Sequence, residues 1–260
     1  MDDIELLEKN RVYTKKRSIF TGNGSEIEAW HYIPNHARNG EDIISVAFTG
    51  FNTILDDYDP FAINFVKGGF EIYVMSSRGH MGSTGTPSLK LSKDDSMGVF
   101  KKMAKVYERI CVVGSSLGGT VSLRPALESD CVGAICLVCV PDVLSVEKYW
   151  EYFEGDRDLN FRFSPEDRDS VGKEIENEPP LTTQLDDVEI TKPVLVMYAG
   201  NDVIVPLADS ERLLNALEGL AVDEGMVESE NFWEEGHKMQ DTNRVSSSML
   251  DFFNRHIVYP

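Results

Sequence analysis

Short apolar runs separated by segments of helical periodicity recur along this chain, and that alternation constrains its fold more than any other feature. Runs at 43–49, 71–76, 109–114, 131–140 and 193–199 have the length and composition of buried strands. Between and after them, 60–67, 92–108, a segment opening at Ser116, 207–217 and 244–255 read as helices. Val99, Phe100, Met103 and Val106 share one face of the second. Strands that are apolar throughout are covered on both faces. The pattern therefore predicts βαβ units and a mainly parallel sheet with helices on either side. A last strand is expected at 221–229. Two antiparallel strands, 15–20 and 26–32, open the domain around Thr21-Gly22-Asn23-Gly24, a hairpin signal.

A chain of 260 residues with 42% hydrophobic content can fill the core of one such domain. Its longest nearly unbroken apolar run, 131–140, is about half of the ~20 residues that span a bilayer, so no membrane insertion is expected. Twenty-five basic against 44 acidic residues give a net charge of -19. That field repels phosphate backbones and argues against a nucleic-acid partner; it is read as a solvated surface. The opening MDDIELLEKN lacks a basic and apolar leader pattern, and a cytoplasmic location is expected. Four cysteines, 111, 131, 136 and 139, all fall in apolar segments. Cys136 and Cys139 have C-x-x-C spacing, but residues three apart on a strand face opposite sides. All four are therefore read as buried thiols in a reducing compartment. No Cys/His set has zinc spacing. Asp56-Asp57 and Asp94-Asp95 read as solvated surface, and the glycines of 79–85 do not fit a dinucleotide fingerprint, so neither metal nor cofactor is expected.

The rhythm breaks once. Residues 141–191 are charged and lose the alternation, yet Tyr149, Trp150, Tyr152, Phe153, Phe161 and Phe163 cluster there. Ser164-Pro165-Glu166-Asp167 has the cap, proline and acidic first turn of a helix start, and Pro179-Pro180 marks a return toward the sheet. A structureless loop of that length is rare in a compact domain. The expected division is a core of 1–140 and 192–260 with an inserted helical cap, or lid, at 141–191. Trp150, Phe153 and Phe161 are candidates for a substrate pocket; the plainer role for such aromatics is to fasten a cap to its core.

Chemistry concentrates at Gly114-Ser115-Ser116-Leu117-Gly118-Gly119, a G-x-S-x-G sequence set between a strand and a helix. The turn required there is so tight that side chains at the glycine positions would clash, and it lifts the Ser116 hydroxyl above the sheet edge. The Leu117 amide then faces a developing oxyanion from a helix N-terminus. A serine needs a base, and the base needs an orienting acid. Downstream lie only His237, between the expected last strand and the final helix, and His256, read as a surface residue. His237 is the candidate base. Asp202 and Asp142 both follow strands, where open α/β sheets assemble their sites. The compact Gly200-Asn201-Asp202-Val203-Ile204-Val205-Pro206 loop ahead of a helix favours Asp202.

Together these residues resemble the α/β-hydrolase fold serine hydrolases over roughly 15–258. Gly114 to Gly118 look like that family's nucleophile elbow, 200–206 its G-x-D-x-x-V-P acid loop, and Gly236-His237 its histidine. Arg78-Gly79-His80-Met81-Gly82-Ser83 is similar to its R-G-H-G-x-S turn, which implies a structural role for His80. By position Thr49-Gly50-Phe51 matches the family's H-G-x, making the Phe51 amide the second oxyanion donor. The chain departs from the pattern at Thr49, at Ser76 or Ser77 where the family has an aspartate, and at Pro125, expected to kink or end the helix after the elbow.

The resemblance implies a serine hydrolase acting through an acyl-enzyme, and an apolar cap suits a neutral acyl chain. Carboxylic esters of small or acyl-chain substrates are the expected class. Acyl thioesters, with a thioesterase or acyltransferase using the same triad, are the closest alternative. Peptidase, carbon–carbon bond hydrolase and a non-catalytic small-molecule receptor follow. The pattern carries no signal for oligomeric state.

Overall fold

The computed structural model describes residues 4–6, 13–21, 24–35, 43–48, 55–148, 150 and 165–258. Its strands are β1 (Ile4–Leu6), β2 (Tyr13–Thr21), β3 (Glu26–Pro34), β4 (Ile43–Phe48), β5 (Glu71–Met75), β6 (Arg109–Ser115), β7 (Val132–Val138), β8 (Val194–Ala199) and β9 (Val227–Phe232). They form one sheet in the order β1-β2-β3-β5-β4-β6-β7-β8-β9. Pairing is antiparallel from β1 through β5 and parallel from β5 to β9. The expected hairpin is β2–β3, with Thr21 opposite Glu26.

Alternation along the central strands builds two cores. Cys111, Val113, Ala134, Cys136, Leu195 and Met197 point to one face. There α1 (Asp59–Lys67) and α6 (Thr242–Phe253) cover them with Phe61, Phe65, Phe252 and Phe253. Ile110, Val112, Ile135, Leu137, Val194 and Val196 point to the other. That face is covered by α2 (Leu89–Met103), α3 (Leu117–Glu128) and α5 (Leu207–Leu220) through Val99, Phe100, Leu123, Leu213 and Leu217. Between β7 and β8, α4 (Pro165–Asn177) sets Val171 and Ile175 on Leu89 of α2 and on Leu117 and Val121 of α3. The helix expected to start near Ser164 thus begins at Pro165 and packs on the helix that follows the elbow.

Four expectations need correction. First, α2 starts at Leu89 and ends at Met103. Ser88 caps it by accepting the Leu91 amide, and Glu174 of α4 accepts from both the Ser88 hydroxyl and the Leu89 amide. Val106 therefore lies beyond the helix and is 67% exposed. Second, α3 runs three residues past Pro125. Burial of this helix on nearly every side outweighs the loss of one backbone hydrogen bond. Third, the last strand begins at Val227; Ala221 only bridges Ile190, and Gly225 at φ 84° turns the chain first. Fourth, β7 stops at Val138, and Cys139, at φ 48°, packs in the same core as Cys136 instead of opposite it. All four cysteines are free. Among the described residues no helix is long and apolar enough to cross a membrane.

Candidate active site

Three loops at the carboxyl ends of β6, β8 and β9 converge on one point. After β6 the chain reverses into α3 through Ser116, which is held at φ 51° and ψ -126°. Its amide donates to the Val138 carbonyl (2.8 Å), and its own carbonyl accepts from the Gly119 amide (2.9 Å). This reversal brings strand and helix so close that a Cβ on Gly114 would stand 2.5 Å from Gly119 Cα. One on Gly119 would stand 2.1 Å from a Val140 methyl. Glycine is thus required at Gly114, as the motif implies, and at Gly119, one residue beyond the motif. Leu117 opens α3, so its amide lies at the positive end of the helix immediately after Ser116.

After β8, Asp202 folds its side chain back on its own loop. Oδ1 accepts the Ile204 and Val205 amides, each at 2.8 Å. After β9, the Glu235 carbonyl accepts the Asn201 amide (3.0 Å) and the Met239 amide donates to the Gly236 carbonyl (3.0 Å), so the histidine loop is fastened to the acid loop. The result is a hydrogen-bonded chain. His237 Nδ1 lies 2.8 Å from Asp202 Oδ2, and Nε2 lies 2.9 Å from Ser116 Oγ. An ionised carboxylate accepts only, so Nδ1 carries the proton and Nε2 is left to accept from the serine hydroxyl. Burial works to raise the Asp202 carboxyl, but the bond to His237, its charge and the two loop amides outweigh that and hold it below the usual range. The pair therefore presents a carboxylate to the imidazole at neutral pH.

The other candidate acid has a structural place. Asp142 is 4% exposed. Oδ1 accepts the Thr182 amide (3.0 Å), Oδ2 accepts Arg212 Nε (3.2 Å), and its carbonyl accepts the Leu181 amide (2.7 Å). It clasps the end of β7 to the 181–185 segment and to α5. His80 is buried, and its Nδ1 donates to the Arg78 carbonyl (2.8 Å); burial pulls its pKa down to about 4, so it is neutral at physiological pH. Asp95 of α2, expected at the solvated surface, is instead 4% exposed and pairs with Arg78. It accepts Arg78 Nε at 2.7 Å and a second guanidinium nitrogen at 3.0 Å in a buried pair. Ser76 instead bonds Ser83 within the turn (2.5 Å). His256 bonds Glu228 (2.7 Å), away from the site.

Phe51, Phe153 and Phe161 lie outside the described residues. Trp150 is half-buried against α4, with the Arg168 guanidinium 4.5 Å from its ring centroid and its Nε1 3.9 Å from where a Cβ on Gly172 would be. These contacts fasten it to α4. Sequence reasoning missed Cys139, whose sulfur lies among the same groups. The only available signal was the C-x-x-C spacing, and strand alternation pointed that side chain the wrong way.

A sheet of this topology, with the serine at a strand–helix turn and the histidine and acid on later loops, places the chain in the α/β-hydrolase fold superfamily of serine hydrolases. Solved structures with this fold align over most of the chain. The esterase Pf2001 of Pyrococcus furiosus covers 94% of this chain and 90% of its own, at TM-score 0.70 and 16% identity. Acetyl xylan esterase 1 of Thermoanaerobacterium sp. JW/SL YS485 covers 97% and 87%, at 0.65 and 16%. The enol-lactonase of Burkholderia xenovorans LB400 covers 91% and 100%, at 0.69 and 15%. No curated protein sequence matches. The model of the prolyl oligopeptidase family matches residues 94–258, well over half of the chain, and the chain belongs to that family.

Proposed function

We propose that this protein is a serine hydrolase that cleaves carboxylic esters through an acyl-enzyme. The observation that carries the reading is the unbroken chain from Asp202 through His237 to Ser116, with contacts of 2.8 and 2.9 Å. His237 Nε2 takes the Ser116 proton as Oγ bonds to the substrate carbonyl carbon, and the carbonyl electrons move onto oxygen. The Leu117 amide, and on the family resemblance that of Phe51, receive that oxyanion. Collapse expels the alkoxide, which leaves with the proton from His237. Water repeats the sequence, with its proton passing to His237 and then back to Ser116 as the acid departs. Asp202 holds the tautomer and stabilises the imidazolium throughout.

In this reading residues 141–191 form the cap over a core of 1–140 and 192–260, and the packing of α4 on α3 supports that division. Trp150, Phe153 and Phe161 belong to the cap, and the contacts of Trp150 favour a fastening role for that ring. The free thiols, three of them buried and Cys131 half-buried, fit a cytoplasmic location. The esterases and the lactonase among the structural neighbours favour esters over thioesters. Family membership favours one second reading, a peptidase with the same three residues.

A fluorophosphonate probe should label the wild-type protein stoichiometrically and leave Ser116→Ala unlabelled. Graded p-nitrophenyl esters should then be turned over faster than acyl-CoA thioesters or aminoacyl and peptidyl p-nitroanilides. Absence of labelling in folded protein contradicts the enzyme reading; anilides cleaved faster than every ester would move the assignment to peptidase.

A further inference from the structure

Four non-glycine residues in the described structure have positive φ, and three of them stand at the site: Ser116 at 51°, Cys139 at 48° and Met239 at 41°. Such strain persists where the surroundings impose it, commonly at functional sites. Ser116 is the turn itself, and Met239 closes the turn that carries His237. Cys139 has no part in the steps above. Its amide donates to the Met197 carbonyl (2.9 Å), and the left-handed kink throws its side chain out of the β7 alternation. There its sulfur, an Asp202 oxygen and a His237 nitrogen all lie within 4.8 Å of one another. Glycine would hold this φ without strain. What cysteine adds is a thiol.

We propose that Cys139 is a positioning residue, its S–H donating to the Asp202 carboxylate and holding that group toward His237. A carboxylate offers about four acceptor sites. The Ile204 and Val205 amides and His237 Nδ1 occupy three, and the Asp202 side chain is only 1% exposed, which keeps bulk water from the fourth. Burial first, and then the Asp202 charge beside it, push the thiol far above its ordinary range, so it keeps the proton it donates. The groups around the sulfur are Asp202, the Ala199 amide and the charge of Glu235; those around the carboxylate are His237, Cys139 and the two loop amides. The same three side chains are also metal-ligand types. However, ligands about 2.0 Å from one tetrahedral ion stand roughly 3.3 Å apart, and the 2.8 Å between His237 and Asp202 fits a shared proton better.

This inference rests on the triad reading, which labelling of Ser116 tests separately. Its own test is the pH dependence of kcat/KM, with kcat and KM, for Cys139→Gly, Cys139→Ala and Cys139→Ser on a p-nitrophenyl ester. Glycine suits the backbone at this position and keeps the test available if the alanine protein folds poorly. Losing the thiol leaves more of the Asp202 charge to stabilise the imidazolium. The acid limb should therefore move to higher pH by about half a unit in the Gly and Ala proteins. In both, kcat should fall about three- to tenfold with KM within about twofold, and serine, which keeps a donor, should restore both readings. The inference is overturned if the acid limb of the glycine protein superimposes on wild type. A fall in kcat without that shift, or a serine protein no closer to wild type than alanine, overturns it equally. In each of these cases an unchanged fluorophosphonate reaction leaves the triad standing.

Discussion

Ser116→Ala and His237→Ala each reduce ester hydrolysis by about 10⁴- to 10⁶-fold, and the double variant is scarcely slower than either single one. The expectation follows from the 2.9 Å contact between His237 Nε2 and Ser116 Oγ. Nucleophile and base perform one proton transfer, so losing either removes the whole step, and a second loss has nothing left to remove. What survives is the contribution of substrate binding and the oxyanion donors, about 10³-fold over water in the protease precedent. Initial rates for the wild type, both single variants and the double variant complete the cycle. Losses that multiply would show that the two residues serve separate steps.

Asp202→Asn lowers kcat by about 10⁴-fold, the magnitude seen when the acid of a serine protease triad becomes an amide. An amide in the place of Oδ2 can present N–H to His237 Nδ1. That favours the tautomer with its proton on Nε2, which cannot accept from Ser116. Asp142→Asn should leave kcat within about threefold, because its partners are the Thr182 amide and Arg212. Its cost falls on stability, about 1–3 kcal/mol for weakening a buried charge-assisted clasp, read as a lower melting temperature. The two effects separate cleanly when kcat and melting temperature are measured on both proteins. A larger kcat loss in Asp142→Asn would relocate the acid to the end of β7.

Much of this arrangement is legible in the sequence because close packing leaves few choices. Gly114 and Gly119 can carry no side chain at 2.5 and 2.1 Å approaches, so a serine between such glycines after an apolar strand announces its own geometry. Asp202 is legible for a similar reason: a short loop with two amides aimed at one carboxylate oxygen leaves the other for a partner. The misses have tertiary causes. The edge strand β9, Val-Glu-Ser-Glu-Asn-Phe, is half solvated and carries almost no apolar signal, so its start was displaced. The start of α2 depends on Glu174, 85 residues away, and Pro125 survives inside α3 because both faces of that helix are buried. Cys139 could not be placed because alternation holds only while a strand continues, and β7 ends one residue before it.

The central claim is that Ser116 becomes covalently acylated during turnover. Wild-type protein mixed with p-nitrophenyl acetate, quenched in acid during the steady state and digested, should show a single acetyl group by mass spectrometry. It should lie on Ser116, reach up to one per chain, and disappear in Ser116→Ala. Rapid wild-type hydrolysis with no acetylated Ser116 peptide even at the shortest quench times, or acetylation on another residue that tracks turnover, would contradict the account.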